Sequence, residues 1–465
     1  MTTASGRRGS STQERPLPGA VRPYQFPRSE RLALPNGLQV IVVPVRRLPV
    51  IAVNFVTDAG AMMESPGDEG LAQTTARGLL EGSGERRGDE MMELFERLGA
   101  SIDSGASWDS AIVKVSGLAP RLDTMLELLG EVVLTPTFPE HEVERLKSER
   151  LAELLQLRAE PRQLADEMLA VAVYARDSRY AHPQDGSAES VTALSADSLR
   201  RFHAERYRPA GSAIVIAGDV PPERAFTTAA RVFGAWKAVS SSAVTVVDRP
   251  ARRSRAMHLV EKTNAQQSEM RLGHVAVPRV SANFFPILVM NAVLGGLFSS
   301  RINLNLREAH GYTYSASSYF DWRRAAGPFV VSAAVRSDVT GDAAREVLSE
   351  IDRIRTEPIT ENELSLATSY LDGVFPVKYE TVGAVANALT AAIVFALPDD
   401  YFDRYRANVR AVTVDDVLMS AQSYLHPDQL QLLVVGDPAI IRSPLERMEF
   451  GPLISHDRTD ILRGS

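Results

Sequence analysis

Residues 195–219 read SADSLRRFHAERYRPAGSAIVIAGD, and residues 413–437 read TVDDVLMSAQSYLHPDQLQLLVVGD. Each stretch begins with Ser or Thr at a helix N-cap position, and the acidic residue two positions later is favoured by the helix dipole. A proline then ends the helix, a short apolar run predicts a buried strand, and Gly-Asp turns the chain. The matched features are separated by a constant 218 residues. This constancy indicates an internal duplication.

The duplication predicts two domains of similar fold, 26–236 and 257–450, joined by a polar, proline-containing linker at 237–256. The N-terminal stretch 1–25 is rich in Ser, Gly, Arg and Pro, so we predict a disordered tail there and a second tail at 451–465. Strand-like and helix-like segments are mixed inside each domain. The predicted fold class is therefore α+β, with two homologous α/β-sandwich domains in which a sheet packs against helices.

Local patterns place individual elements within these domains. Asn36-Gly37, between two apolar runs, predicts a hairpin. Short apolar or alternating runs predict strands, and longer segments with helical periodicity predict helices. The predicted strands include 31–34, 38–43, 50–56, 213–217, 257–260, 269–275, 312–319 and 432–435, and the predicted helices include 70–80, 120–133, 141–158, 285–294 and 299–309.

The composition excludes several classes of function. The chain has 465 residues, a formal net charge of -7 and no cysteine. Disulfides, thiolate metal sites and cysteine nucleophiles are therefore excluded, and the lack of a global basic field argues against nucleic acid as a partner. No apolar run is long enough to cross a bilayer, so we predict no membrane span. We expect a cytoplasmic location, with the periplasm as the alternative.

Three segments of the first half carry a family resemblance. They read LPNGLQVIVVP at 34–44, AGAMMESPG at 59–67 and GLA at 70–72, and together they resemble the opening of the pitrilysin/insulinase family of metallopeptidases. In active members, Gly-Leu-Ala is followed by an inverted zinc motif, His-x-x-Glu-His. The two histidines share one helix face and bind the metal, and the glutamate reaches its water.

The positions that match this motif are Gln73, Ala76 and Arg77. Glutamine is a poor zinc ligand, alanine cannot act as a base, and arginine carries a fixed positive charge that repels the ion. The family's third ligand is a downstream glutamate, and Glu153 lies in about that place, where an ion-paired surface residue is the simpler interpretation. The eight histidines include no two within one helical turn. We therefore predict a degenerate zinc motif and no metal bound by this chain.

The second half contains NAVLGGLFSSR at 291–301 and NLREAHGYTY at 305–314, which closely resemble the C-terminal domain signature of the same family. The resemblance implies that Arg307 and Tyr314 complete an active site. Gly311 is a natural helix stop, so Arg307 near the helix end and Tyr314 early in the next strand are expected to approach one point. A phenol and a guanidinium aimed at a tetrahedral intermediate would stabilise its negative charge. Spacing alone favours a surface ion pair and a packed tyrosine, whereas the surrounding signature favours the catalytic interpretation.

Members of this family share an active site between two halves that close like a clamshell around a peptide. The resemblance implies that this chain is the zinc-free subunit of a heterodimeric zinc peptidase, similar to mitochondrial processing peptidase subunits. It would supply Arg307 and Tyr314, and a zinc-binding pitrilysin-like partner would supply the metal and the general base for cleaving unfolded peptides. Two alternatives stay open: a catalytically inactive binding or scaffold subunit, and an independent hydrolase with an unconventional metal site.

Overall fold

The computed structural model describes residues 23–237 and 246–456, and its framework is two six-stranded sheets. The first sheet has the order β1-β2-β6-β3-β5-β4 and contains β1 Glu30–Ala33, β2 Gln39–Pro44, β3 Val50–Thr57, β4 Ser101–Ala106, β5 Ala111–Leu118 and β6 Ser212–Gly218. The second has the order β9-β10-β8-β11-β7-β12 and contains β7 Ala256–Glu261, β8 Gln267–Val275, β9 Ala316–Phe320, β10 Pro328–Arg336, β11 Gln431–Gly436 and β12 Leu453–His456. A short hairpin pairs Gly82–Ser83 with Arg86–Arg87.

The second sheet repeats the pairing pattern of the first. Strand β6 is parallel to β2 and antiparallel to β3, and β11 is likewise parallel to β7 and antiparallel to β8. Each sheet ends at one side in an antiparallel pair, β5 with β4 and β10 with β9. The two sheets differ at the opposite edge, where β1 is antiparallel to β2 but β12 is parallel to β7. The predicted α+β class with two similar halves is confirmed.

Helices cover both sheets, and π-helical turns extend two of them. The helices of the first half are α1 Leu71–Gly78, α2 Gly88–Arg97, α3 Leu122–Leu134, α4 Glu140–Ala159, α5 Pro161–Val173, α6 Ala188–Ala193, α7 Ala196–Arg206 and α8 Pro222–Phe233. Those of the second half are α9 Phe284–Asn291, α10 Arg301–Asn303, α11 Thr340–Thr356, α12 Glu361–Lys378, α13 Val382–Val394, α14 Tyr401–Arg410, α15 Val414–Tyr424 and α16 Pro438–Glu446. The π-helical turns are Ala292–Gly296 after α9 and Leu304–Ala309 after α10.

The repeated stretches form equivalent helix–strand units. Ser195 Oγ accepts a hydrogen bond from Ser198 N at 3.2 Å, and Thr413 Oγ1 accepts one from Asp416 N at 3.1 Å, so both residues cap helices as predicted. Helices α7 and α15 follow these caps, and the buried central strands β6 and β11 follow the helices. The predicted cap, helix and strand of each copy are therefore confirmed.

Each sheet is covered on one face by helices of its own half and on the other face by a helix of the opposite half. Helix α13 packs on β3 and β6 of the first sheet, and α5 packs on β8 and β11 of the second. Buried polar side chains fix both contacts. Asn54 Nδ2 donates to Asn387 Oδ1 and Thr390 Oγ1, each at 3.0 Å. Arg271 Nε donates to Asp166 Oδ1 at 2.5 Å. The two halves are thus interlocked by an exchange of helices.

The loop between β9 and β10 adds a further tie to the first half. The guanidinium of Arg323 lies 4.4 Å from the centre of the Trp108 ring. The backbone N–H of Arg324 donates to Asp109 Oδ2 at 3.2 Å, and its guanidinium pairs with Asp58 and donates to Val394 O at the end of the exchanged helix α13. Burial raises the pKa of the Asp109 carboxyl to about 6. Charged groups withdrawn from water therefore lie at the junction of the halves.

The structure corrects the predicted C-terminal tail at 451–465. Residues Leu453–His456 form β12 because their backbone pairs in parallel with β7. Residues 457–465 of this predicted tail, 1–22 of the N-terminal tail predicted at 1–25 and 238–245 of the linker predicted at 237–256 lie outside the described residues.

One described segment meets the length and composition of a membrane span, which the sequence reading did not anticipate. This segment is Phe284–Ala309. The most apolar 18-residue stretch of this segment is more than half buried, because it packs in the core of the second half. Core helices of folded proteins commonly have this character.

A buried histidine generates a prediction about stability and pH. His274 Nε2 accepts a hydrogen bond from the backbone N–H of His426 at 3.2 Å, and burial lowers the pKa of His274 to about 4. In the unfolded chain the His274 side chain is protonated near pH 6.5, whereas in the folded chain it stays neutral down to about pH 4. The free energy of unfolding therefore decreases as the pH falls from about 6.5 to about 4. We expect this group to account for on the order of 3 kcal/mol over that window.

Thermal unfolding of the purified chain at stepwise pH measures this effect. We expect His274→Asn to lower the unfolding midpoint near neutral pH and to flatten its decline below pH 6.5, about the ordinary pKa of histidine. His141→Gln is the matched control because the His141 side chain is 79% exposed. An unchanged pH slope in His274→Asn would contradict the assignment.

Candidate functional site

Helix α1 carries the three positions that correspond to the zinc motif, and its start is tightly fixed. Gly70 precedes it with φ +92°, and a Cβ there would lie 2.8 Å from Asp185 O, so only glycine fits without strain. The fully buried carboxylate of Glu64 accepts a hydrogen bond from Ala72 N at 2.7 Å and pairs with Arg179 at 2.5 Å. The helix therefore has a defined position beside β4 and α4.

Gln73 and Ala76 have structural contacts. Gln73 Oε1 accepts a hydrogen bond from the backbone N–H of Ala106 at 2.6 Å, at the last residue of edge strand β4. Gln184 Nε2 donates to the carbonyl oxygen of the same residue at 3.3 Å. Ala76 is fully buried in the core of the first half. Neither side chain offers a metal ligand.

Arg77 pairs with the carboxylates that a metal would otherwise attract. Its Nη2 lies 3.0 Å from Glu149 Oε2 and its Nη1 lies 3.5 Å from Glu153 Oε1. Both glutamates lie on α4, one helical turn apart. The guanidinium is permanently charged, so a divalent cation at this place would meet an occupied carboxylate pair and a like charge. Zinc does not fit these residues.

Distant histidines come together in pairs that the sequence did not predict. His258 Nδ1 lies 2.9 Å from His456 Nε2, and the His274 and His426 rings are 5.1 Å apart between centres. Within residues 23–237 and 246–456, no group of three or more His, Asp or Glu side chains is placed to bind a metal ion. The histidine pairs bridge neighbouring segments of the second half.

In the second half, close packing shapes the turn before the Arg/Tyr segment. A Cβ on Gly295 would lie 2.4 Å from Ser318 Oγ, so glycine is required where the π-helical turn approaches β9. Asn291 Nδ2 donates to Ser318 O at 3.0 Å across the same contact. Arg301 and Glu363 form a bidentate pair at 2.6 and 3.0 Å, which lowers the pKa of Glu363 to about 2. These contacts fix both ends of the segment that leads to Arg307.

Arg307 lies in the π-helical turn Leu304–Ala309. Such turns often occur at functional sites. Its guanidinium lies 3.6 Å from the centre of the Phe298 ring. Nε and Nη2 each lie 2.8 Å from Glu308 Oε1, whereas Nη1 is buried with no hydrogen-bond partner among the described residues. The side chain therefore has a fixed position and one donor group still to be satisfied.

Tyr314 follows Arg307 after a sharp turn. Gly311 has φ +64°, the predicted left-handed helix stop, and Tyr312 N donates to Leu306 O at 2.8 Å. The strand predicted at 312–319 begins only at Ala316, because Thr313 Oγ1 donates to Ala334 O at 2.6 Å and holds the preceding residues in a turn. Tyr314 consequently lies outside the strand, and it is 97% exposed.

Arg307 and Tyr314 both line a cavity of about 770 Å³, a volume typical of ligand sites. Arg162 from the exchanged helix α5 and Arg336 from β10 line the same cavity, and neither was predicted. Glu269 also lines it, but its carboxylate pairs with Arg271 at 3.0 Å. The cavity is therefore lined by several arginines and by two tyrosines, Tyr312 and Tyr314, which suits an anion or a polarised carbonyl.

Sequence reasoning missed the partners of both arginines. Glu149 and Glu153 are four residues apart on a predicted helix, so their spacing alone could have predicted a cation between them. The stacking of Phe298 on Arg307 depends on the path of residues 297–300 between two helical turns. No periodicity in the sequence indicates that path.

The fold and these two sites define a two-domain α+β protein of the metallopeptidase type whose zinc-motif positions hold no metal ligands. Family models match most of the chain: residues 46–182 match Insulinase (Peptidase family M16), and residues 193–371 match the Peptidase M16 inactive domain. The chain belongs to the M16 peptidase family.

Relatives of known sequence and structure agree with this placement. An uncharacterized zinc protease of Streptomyces coelicolor is 23% identical, over 85% of this chain and 87% of that protein. One from Bacillus subtilis is 21% identical, over 76% and 85%. A crystal structure of a peptidase M16 inactive domain from Pseudomonas fluorescens has a TM-score of 0.82, with 25% identity over 88% of this chain and 98% of that one. A protease from Helicobacter pylori has the same fold at a TM-score of 0.81, with 18% identity over 89% and 100%.

The placement of α1 against α4 predicts that a zinc site can be built by two substitutions. Gln73→His with Arg77→His places two imidazoles four residues apart on α1, on the side that faces Glu153. We expect this double variant to retain about one zinc ion per chain after dialysis, since two histidines and a carboxylate are a common catalytic ligand set. Metal analysis by mass spectrometry measures the content.

The wild-type chain and Arg77→His alone are expected to retain no zinc. Adding Glu153→Gln to the double variant is the matched control, and it should weaken retention. Absence of zinc from a folded double variant would mean that Glu153 does not share the face of Gln73 and Arg77.

Proposed function

We propose that this chain is the non-zinc subunit of a heterodimeric M16 peptidase, and that it contributes Arg307 and Tyr314 to a site whose zinc is bound by a pitrilysin-like partner. The observation that carries the proposal is the contrast between the two halves. Arg77 pairs with Glu149 and Glu153, whereas Arg307 lines a cavity of about 770 Å³ together with the exposed Tyr314.

The two side chains have complementary tasks in this proposal. The partner's zinc would supply Lewis acidity and an activated water. The Tyr314 hydroxyl, free to rotate on an exposed turn, donates to the oxygen on which negative charge develops. Arg307, held by Phe298 and Glu308, would orient the peptide carbonyl from the wall of the cavity that it shares with Tyr314. A fixed guanidinium loses little freedom when it binds, which favours precise orientation.

The substrate would be an unfolded peptide bound as an added strand. Edge strand β4 of this chain is blocked at its end, because Gln73 and Gln184 occupy the N–H and C=O of Ala106. We therefore assign strand addition to the partner's sheet edge. The arginine-lined cavity of this chain would then face the added strand from the other side.

The alternative is a catalytically inactive binding or scaffold subunit of the same fold. It is favoured by Glu308, whose carboxylate already takes two nitrogens of Arg307. In that case Tyr314 would contact the partner or a bound peptide without assisting cleavage. Substitution of Arg307 or Tyr314 should lower turnover if the chain is a catalytic subunit, and should leave turnover unchanged if it is a scaffold.

Reconstitution distinguishes them. The chain is mixed with a zinc-bearing M16 chain from the same organism, and cleavage of an unfolded peptide is followed by fluorescence. We expect activity from the mixture alone, with zinc in the partner. Arg307→Ala and Tyr314→Phe should each lower kcat by about 100- to 1000-fold, the usual loss when one donor to an oxyanion is removed. Complex formation, measured by gel filtration, should not change.

Two exposed residues provide matched controls. Arg345 pairs with Asp342 within one surface helix, and Tyr370 is half-exposed on α12, so Arg345→Ala and Tyr370→Phe should keep normal turnover. Normal cleavage by both site variants would favour the scaffold alternative. Cleavage by this chain alone, with stoichiometric zinc, would favour an independent hydrolase and contradict the proposal.

A further inference from the structure

A second cavity, of about 560 Å³, lies in the second half where helices α9, α14 and α15 begin. It shares no lining residue with the cavity of Arg307 and Tyr314. Its volume lies within the range of small-molecule sites. Its lining combines one buried cation with aromatic and proline side chains.

The cation is Arg279, which is only 8% exposed. Its guanidinium lies 3.6 Å from the centre of the Phe284 ring and 5.2 Å from that of Tyr401. Nη2 donates to the Tyr401 hydroxyl at 2.8 Å. Within residues 23–237 and 246–456, Nε and Nη1 make no hydrogen bond and Arg279 forms no ion pair. The two rings hold the guanidinium in place and leave hydrogen-bonding groups available.

The carboxylates that line the cavity have other partners. Asp400 pairs with Arg404 at 2.7 Å, and Asp416 Oδ2 accepts from the backbone N–H of Thr413 at 2.9 Å. Burial lowers the pKa of Arg279, because a guanidinium withdrawn from water is less stable in its charged form. Buried charges in proteins are normally paired. Aromatic faces offset part of this cost, but they do not satisfy N–H groups.

The remaining lining selects the kind of anion. Apolar side chains line the same cavity as Arg279, and they are Phe284, Phe285, Pro286, Leu397 and Pro398. A carboxylate would receive hydrogen bonds from the planar guanidinium, and an attached apolar group would replace water against the rings. We propose that this cavity binds a carboxylate carried on an aromatic or other apolar group, with Arg279 as the anion-binding residue and Tyr401 as the residue that positions it.

Two kinds of ligand carry a carboxylate on an apolar group: a free aromatic acid, and a peptide whose C-terminal residue is apolar. The probes are therefore 3-phenylpropionate, a tetrapeptide ending in phenylalanine, and the amides of both. Binding to the full purified chain is measured by calorimetry and by the shift in thermal unfolding midpoint. We expect the acids to bind and to raise the midpoint, and we expect the amides to bind at least 10-fold more weakly.

Variants test whether Arg279 is responsible. Arg279→Met keeps the aliphatic stem and removes the charge, so it should weaken binding of the acid by about 10- to 100-fold. Tyr401→Phe keeps the ring and removes the hydroxyl that orients Arg279, and it should weaken binding by a smaller factor. It serves as the second variant if Arg279→Met does not fold. Arg345→Met, at an exposed helix position, is the matched control and should bind as the wild type does.

Each result of these measurements supports or contradicts the proposal. Tighter binding of the free-acid peptide than of 3-phenylpropionate identifies a peptide C-terminus, and the reverse identifies a small aromatic acid. Equal binding of acid and amide would overturn the proposal, as would acid binding that survives in folded variants at both positions. No binding of either acid at about 10 mM, a concentration that detects interactions of roughly 3 kcal/mol, would show that the aromatic rings alone accommodate Arg279.

Discussion

The structure depends on the covering of both faces of each sheet. Helices of the same half bury one face, and the exchanged helices α5 and α13 bury the other. Equivalent strand positions fix the exchange. Asn54 lies opposite Val215, and Arg271 lies opposite Leu433. Val215 and Leu433 are related by the 218-residue repeat. In both halves, the polar side chain opposite this repeated strand position therefore contacts the exchanged helix.

This exchange has consequences for folding. Removal of either visiting helix would expose the apolar face of a sheet together with a buried amide or guanidinium, which is costly on both counts. Neither half consequently has a complete core of its own, and the two sheets are expected to fold cooperatively. The arginines of the loop between β9 and β10 strengthen this coupling, because Arg323 and Arg324 contact first-half groups. Functional residues on one half are thus positioned partly by the other, as Arg162 on α5 illustrates.

Sequence patterns predicted what is local or repeated. The α+β class, the caps at Ser195 and Thr413 and the Gly311 helix stop all follow from backbone preferences that a few neighbouring residues determine. The exchange of helices was not predicted, because an apolar helix face does not specify which sheet it will cover. The π-helical turns were also missed, since the tight fit of Gly295 against Ser318 depends on a strand more than twenty residues later.

The candidate site was partly predictable for the same reason. Resemblance located Gln73, Ala76, Arg77, Arg307 and Tyr314, and the structure gives each a distinct environment. It brings Arg307 and Tyr314 to one cavity, and it turns Arg77 toward α4. The start of β9 at Ala316 was misjudged, because alternation in the sequence cannot reveal that Thr313 bonds to β10. Side chain to backbone contacts of this kind compete with strand formation.

The ion pairs of Arg77 join helices α1 and α4 of the first half. Glu149 and Glu153 lie on one face of α4, and two carboxylates that close repel each other unless a cation lies between them. In a zinc site the metal supplies that charge, and stability then depends on metal binding. Here the guanidinium of Arg77 supplies positive charge, together with Arg145 and Arg150 of α4, which also pair with Glu149 and Glu153. A lysine would place a point charge there, whereas the planar fork of arginine engages both carboxylates at once. Arg77, which lies at a position of the proposed degenerate zinc motif, therefore contributes to the packing of the first half through its ion pairs with α4.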